Sequence, residues 1–328
     1  MPLDADSIVD QRRLRRKLTR WRVLAVVIAL VAVGGGAFAF LGRGGSNVSS
    51  LTTSGFIARV TISGIIQGNT DRVEALERLA KSQAKGVIVH IDSPGGTTAG
   101  SEQLHNALRQ VAQAKPTVIV VDGLAASGGY IAALAADHIV AQKTSLVGSI
   151  GVLFQYPNFT ELMKTVGVKV EEIKSSPLKA APNSFEPTSP EARAAIEALV
   201  RDSYDWFKGM VGDRRKLDGA ALDRVADGRV FTGRQSVDLR LIDEIGDEKT
   251  AVAWLATKGI EEKTPVRDWQ LKDRFSDLSF LHLGMAALLD SMGLKSLAQR
   301  FAGAGALQTL DRLNLDGLLA LWHPLSRD

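Results

Sequence analysis

The sequence predicts an α/β fold with a mainly parallel sheet, preceded by a membrane-spanning N-terminal helix. Three observations predict it. Short β-branched runs alternate with stretches of helical spacing from residue 56 onward, the pattern of βαβ units. Two of those runs end in small-residue turns, Asp92-Ser93-Pro94-Gly95-Gly96 and Asp122 to Tyr130, where such folds place ligands. Residues 23–41 contain no charged or strongly polar side chain.

Nineteen helical residues rise about 28 Å, close to a bilayer's hydrocarbon thickness. Seven basic residues between Arg12 and Arg22 precede this stretch, and only Arg43 closely follows it. That asymmetry keeps the N-terminus cytoplasmic and exports the body. The sequence therefore divides into a basic tail (1–22), a transmembrane helix (23–41) and a polar linker (42–54). A cleaved signal peptide is the competing reading, because Ala37-Phe38-Ala39 offers a small-residue cleavage pattern.

In the body, Phe56–Ser63 reads as a strand and 69–81 as a helix capped by Asn69 or Thr70. Gly86–Ile91 is the second strand and 99–114 a helix with Leu104, Leu108 and Val111 on one face. Thr117–Val121 is a third strand, running toward Ser127. The Ala-rich run 131–136 comes next as a helix. Residues 138–141 and 145–153 are β-rich, 158–166 is helical, and Val168–Ile173 is a strand candidate. Lys174–Pro187, with its prolines, is a loop. Ser189-Pro190-Glu191 opens a long helix to about Leu217, with serine at the cap, proline at the first position and acid in the first turn. Shorter elements fill 220–257. Beyond Pro265, spaced apolar residues such as Leu278, Leu289, Leu310, Leu318 and Leu321 suggest amphipathic helices broken by glycines.

Composition excludes several chemistries. The 328 residues contain no cysteine, so thiol catalysis, disulfides and cysteine metal sites are impossible. The formal charge is +4, yet residues 1–43 hold eight basic and three acidic residues. The remainder keeps 32 basic against 33 acidic, so the body lacks the footprint of a nucleic-acid binder. No metal or cofactor motif appears.

Ser127 stands at a strand-to-helix turn among Ala125, Ala126, Gly128 and Gly129. Small neighbours leave a hydroxyl uncovered, and the next N–H can bind an oxyanion, as a nucleophile requires. The competing reading is a plain N-cap serine. Gly95-Gly96 can present bare backbone N–H groups from the neighbouring strand end. The base stays open at this level. His90, His105, His138, His282 and His323 show no triad pattern, and Lys143, Lys164, Lys169, Lys174, Lys179 and Lys208 are all within range. Ser149, between glycines, could orient a base.

Four motifs in order, I-D-S-P-G-G (91–96), D-G-L-A-A-S-G-G-Y-I-A-A-L-A-A-D (122–137), S-L-V-G-S-I-G-V (145–152) and A-D-G-R-V-F-T-G-R-Q (226–235), resemble the bacterial signal peptide peptidase A family in its short, single-repeat form. The likeness covers roughly 55–257 and leaves 258–328 as a helical C-terminal extension. It implies a Clp/crotonase-like fold of repeated ββα units and a Ser-Lys serine peptidase without cofactor. Ser127 is then the nucleophile, Lys179, 52 residues on, the base, and Ser149 the hydroxyl that orients the lysine. Gly96 (or Gly95) and Gly128 supply the oxyanion hole. Lys174 is the less favoured base. The resemblance also implies a ring of protomers, eight for the short form, with serine and lysine shared between chains. It implies cleaved signal peptides as substrates, and a single-pass protein of the bacterial inner membrane with an extracytoplasmic catalytic body. A crotonase-like acyl-CoA enzyme and a non-catalytic membrane scaffold are the rival readings.

Overall fold

The computed structural model describes residues 55–271 and 319–321. The basic tail, the segment 23–41, the linker and most of the stretch beyond Leu271 lie outside the described residues. Among the described residues no helix is long and apolar enough to cross a membrane.

An eight-stranded sheet is centred on β1 (Phe56–Ser63), β2 (Ala84–Ser93) and β4 (Thr117–Ala126). These pair in parallel, β1 with β2 and β2 with β4. The crossovers contain α1 (Thr70–Ala80) and α2 (Thr98–Ala114), with the short β3 (Gly95–Thr97) ahead of α2. Each crossover helix starts where its sequence supplies a cap. Asn69 accepts from the Arg72 N–H, and Thr97 accepts from the Gly100 N–H.

The strands are apolar on both faces because both faces are covered. Ala58, Val60, Ile62, Val87, Val89, Ile91, Ile119 and Val121 pack with Leu76, Leu79, Leu104 and Leu108 of the crossover helices. The alternate residues Ile57, Ile88, Val118 and Val120 pack with Ala251 and Leu255 of α8 (Glu248–Thr257).

The far side of β4 is shared. β5 (His138–Ala141) pairs with Val118–Val121, and β6 (Leu146–Gly148) pairs with Leu124–Ala126. β7 (Val230–Thr232) adds antiparallel to β6, β8 (Glu244–Ile245) parallel to β5, and β9 (Val266–Asp268) parallel to β1. The remaining helices among the described residues are α3 (Gly128–Ala133), α4 (Thr160–Thr165), α5 (Pro190–Arg215), α6 (Gly219–Val225) and α7 (Gly233–Asp238).

Two expectations are corrected. Val168–Ile173 is not a strand. Val168, Val170 and Ile173 are exposed, so alternation there has no partner strand to satisfy. Leu319–Leu321, read as part of an amphipathic helix, is instead β10, antiparallel to β3.

Candidate active site

β2 and β4 lose register just before the site. Ile91 pairs with Val121 and Ser93 with Ala125, so Asp92 alone faces Asp122, Gly123 and Leu124. A bulge of this kind bends its strand and re-aims the residues at the strand's end. Ser127 is the residue so aimed, with φ 53° and ψ −115°. Such a conformation costs a non-glycine residue about 1–3 kcal/mol. The surroundings enforce it. The Ser127 N–H donates to Gly148 O at 2.7 Å, and Ser127 O accepts from Tyr130 and Ile131 N–H, each at 2.9 Å.

The Ser127 hydroxyl does not cap α3, so the plain N-cap reading is wrong in that respect. The residue is 1 % exposed, and its Oγ has no hydrogen-bond partner among the described residues. An unpaired buried hydroxyl costs about 1–3 kcal/mol, and a reactive group is one reason to retain it.

The helix behind the serine is anchored from three sides. Buried Tyr130 donates its hydroxyl to Leu241 O at 2.7 Å. Burial pushes its phenol up. His105 on α2 holds Ile131 O through Nδ1 at 2.8 Å, and burial pushes this imidazole down against the smaller opposing effect of that bond. Arg214 donates to Leu134 O and Ala136 O, each at 2.7 Å. Gly129 lets α3 close on β2, since a Cβ there would lie 2.7 Å from Ser93 O.

The second turn is organised by Ser93. Its Oγ donates to Gly64 O at 2.7 Å and accepts from the Gly95 N–H at 3.1 Å. Gly95 O accepts from Ile66 N–H, and Ile66 O accepts from Thr97 N–H. Gly95 and Thr97 thus face Ile66, and strand alternation turns the Gly96 N–H and C=O to the opposite edge. Position 96 must be glycine, because a Cβ would stand 1.7 Å from Ile66 O.

Ser149 is buried beside these turns, also at φ 53°, with its N–H donating to Arg229 O at 2.8 Å. It directly succeeds Gly148, whose carbonyl holds Ser127. Beyond Ile150 and Gly151 opens a cavity of about 790 Å³ between 152–156 and the Arg193–Ile196 side of α5.

Ser127, Gly128, Ser149, Gly95 and Gly96 therefore share one end of the sheet. Lys179 does not hydrogen-bond to Ser127 within the chain. It sits exposed in a turn closed by its own N–H to Ser176 O at 3.1 Å. Among the other lysines, Lys174 is clamped by Glu172 at 2.7 Å and Glu186 at 2.5 Å. Those hydrogen bonds, Glu172 foremost, hold its ammonium above the usual range. Lys164 pairs with Glu161 and Lys208 with Asp223. The described histidines are committed elsewhere. His90 bridges Asp122 and Glu248, His105 holds Ile131 O, and His138 stacks on Trp254 beside Asp243. His282 and His323 lie outside the described residues. Among the described residues no cluster could hold a metal.

Sequence reasoning misses Ser93 as a site residue, although a serine two residues before a glycine-rich turn is the side chain that can organise its N–H groups. It has no signal for Tyr130 or His105, whose partners are distant in sequence.

Comparison with known proteins gives a consistent picture. Residues 109–260 match the family model "Peptidase family S49", and residues 61–147 match "Clp protease". A Synechocystis sp. protein named "Putative protease slr0021" is 35% identical over 203 residues, covering 61% of this chain and 73% of that one. "Putative signal peptide peptidase SppA" of Enterococcus faecium is 30% identical over 220 residues, 65% of this chain and 64% of its own. "Protease 4" of Salmonella typhi is 30% identical over 215 residues, 65% of this chain but 34% of the longer relative.

Proposed function

The chain belongs to peptidase family S49 and is a serine peptidase, and we propose that it cleaves peptides with a Ser127–Lys179 dyad assembled between protomers. One observation carries the reading: the buried Ser127 hydroxyl has no partner among the described residues, while Lys179 is exposed and free of ion pairs with other described residues.

Exposed apolar residues on the segment that carries Lys179 support the assembly. Val166, Val168, Val170, Ile173, Leu178 and Phe185 are all exposed. An arm this apolar is made to be covered, and a second copy of the chain is the natural cover. Docking brings Lys179 to the neighbour's Ser127.

Neutral Nζ of Lys179 then takes the proton from Ser127 Oγ, which attacks the peptide carbonyl carbon. The oxyanion is held by the N–H groups of Gly96 and Gly128. Gly95 is the weaker candidate because its N–H already serves Ser93 Oγ. The lysine returns the proton to the leaving amine, and water later releases the acyl group. Ser149 orients Nζ. Remnant signal peptides are the proposed substrates, with the segment 23–41 as the membrane anchor and a ring of eight protomers as the assembly. The bacterial inner membrane, with the body outside the cytoplasm, is the proposed location. The repeated ββα arrangement of the Clp/crotonase fold is proposed on the same footing, and the chemistry needs no cofactor.

Treatment with an acylating serine inhibitor, read by peptide mass spectrometry, tests this. The adduct is expected on Ser127 and to be lost in Lys179→Ala. Labelling of another serine, or undiminished labelling in the lysine variant, would refute the dyad. A crotonase-like enzyme would instead turn over a CoA ester, and a scaffold would do neither.

A further inference from the structure

β3 has two edges. One is taken by Ile66, which exchanges hydrogen bonds with Gly95 and Thr97. The other carries the N–H and C=O of Gly96, and that N–H is the proposed oxyanion donor. An extended peptide substrate would add as a strand on this second edge, with the backbone pairing typical of strand addition.

That edge is already occupied by the protein itself. β10 runs antiparallel to β3, with Leu319 opposite Thr97, Ala320 opposite Gly96 and Leu321 opposite Gly95. The segment 317–322 reads Gly-Leu-Leu-Ala-Leu-Trp and contains no charge. It is thus an uncharged, apolar peptide with a small residue at the position aligned with Gly96. The geometry points to the C-terminal segment around Ala320 as a tethered competitor for the peptide-binding edge.

The inference rests on the reading that Gly96 lines the substrate site, and it adds an occupant of defined register. Tethering gives such a segment an effective concentration on the order of millimolar. A peptide in the micromolar range must therefore displace it. A strand of three residues is a weak ladder, so displacement is possible without unfolding the domain. The signature is competitive: the apparent KM for peptide is raised, and kcat is left alone.

Ala320→Pro in the full chain is the test. Proline removes the N–H that residue 320 would offer to the Gly96 carbonyl. Cleavage of an internally quenched peptide is expected to show KM lowered several-fold with kcat unchanged. A synthetic peptide of residues 315–325, added to this variant, is expected to inhibit competitively. A chain ending at Asp316 is expected to behave like the proline variant, which separates loss of pairing from local misfolding. Unchanged KM in both variants, or no inhibition by the added peptide, would overturn the inference. Ser127→Ala run in parallel distinguishes the two layers. If hydrolysis needs Ser127 but KM ignores the tail, the tail inference alone fails. If hydrolysis survives Ser127→Ala, the site reading itself fails.

Discussion

The turn that carries Ser127 and the arm that carries Lys179 are built by opposite means. The first is over-determined: a bulge aims it, Gly148 O, Tyr130 and Ile131 fix its strained backbone, and Tyr130, His105 and Arg214 anchor the helix behind it. The second is tied mainly to itself, through Lys174 with Glu172 and Glu186, and its Val168, Val170, Ile173 and Leu178 are exposed. A catalytic base cannot be held to a fraction of an ångström by an uncovered segment. On the proposed dyad, the contrast teaches that one chain supplies a finished nucleophile and an unfinished base, and that assembly completes the site.

The largest expected effect lies on the finished side. Ser127→Ala should lower kcat for peptide hydrolysis by at least about 10⁴-fold with the thermal midpoint unchanged or raised, because an unpaired buried hydroxyl is removed. Retained hydrolysis would break the comparison at its root. Lys179→Ala should cost a similar factor in rate, yet leave the melting of the domain unaltered, since the exposed side chain makes no ion pair with other described residues. A melting loss would mean that the lysine has a structural role instead.

Gly96→Ala is next. Its Cβ would collide with Ile66 O, so β3 must move, and displacing the donor of the proposed oxyanion hole is expected to cost about 10²–10³ in kcat. Ser93→Ala should be milder on rate. It removes the acceptor for Gly95 N–H and the donor to Gly64 O, and denaturant unfolding should show a loss of about 1–3 kcal/mol.

The smallest effect is on pH. Burial depresses the folded His105 value, so the imidazole adds stability that is fully present above its unfolded value of about 6.5. That contribution is lost as pH falls toward and through the lowered folded value. Thermal midpoints should therefore fall between about pH 7.5 and 5, and His105→Gln should flatten the decline. An equal slope in the variant would remove His105 from the anchoring of α3.

The same contrast explains what can be read from sequence. The strands around 56–63, 86–91 and 117–121, the crossover helices and the Ser127 turn are legible because local signals agree with burial: β-branched runs, a cap at Asn69, and a glycine-rich turn. The alternation of strand and helix is visible for the same reason. Val168–Ile173 misleads because alternation of Val and Ile reports a face to be covered and not what covers it. A strand needs a partner, and the described residues offer none there. Leu319–Leu321 misleads because a three-residue strand leaves no period to detect, and its partner lies more than two hundred residues away. Ser93, Tyr130 and His105 act through bonds to distant backbone carbonyls, or across a turn, and spacing alone does not reveal such contacts.

The most direct measurement mixes two inactive proteins. Ser127→Ala and Lys179→Ala variants, each purified, are combined under conditions that allow protomers to exchange, and peptide hydrolysis is monitored. A site shared between chains predicts recovery of roughly a quarter of the wild-type rate, because random pairing joins an intact serine to an intact lysine at that frequency across a heterologous interface. No recovery from mixed assemblies that demonstrably contain both variants would contradict the account and place nucleophile and base in the same chain.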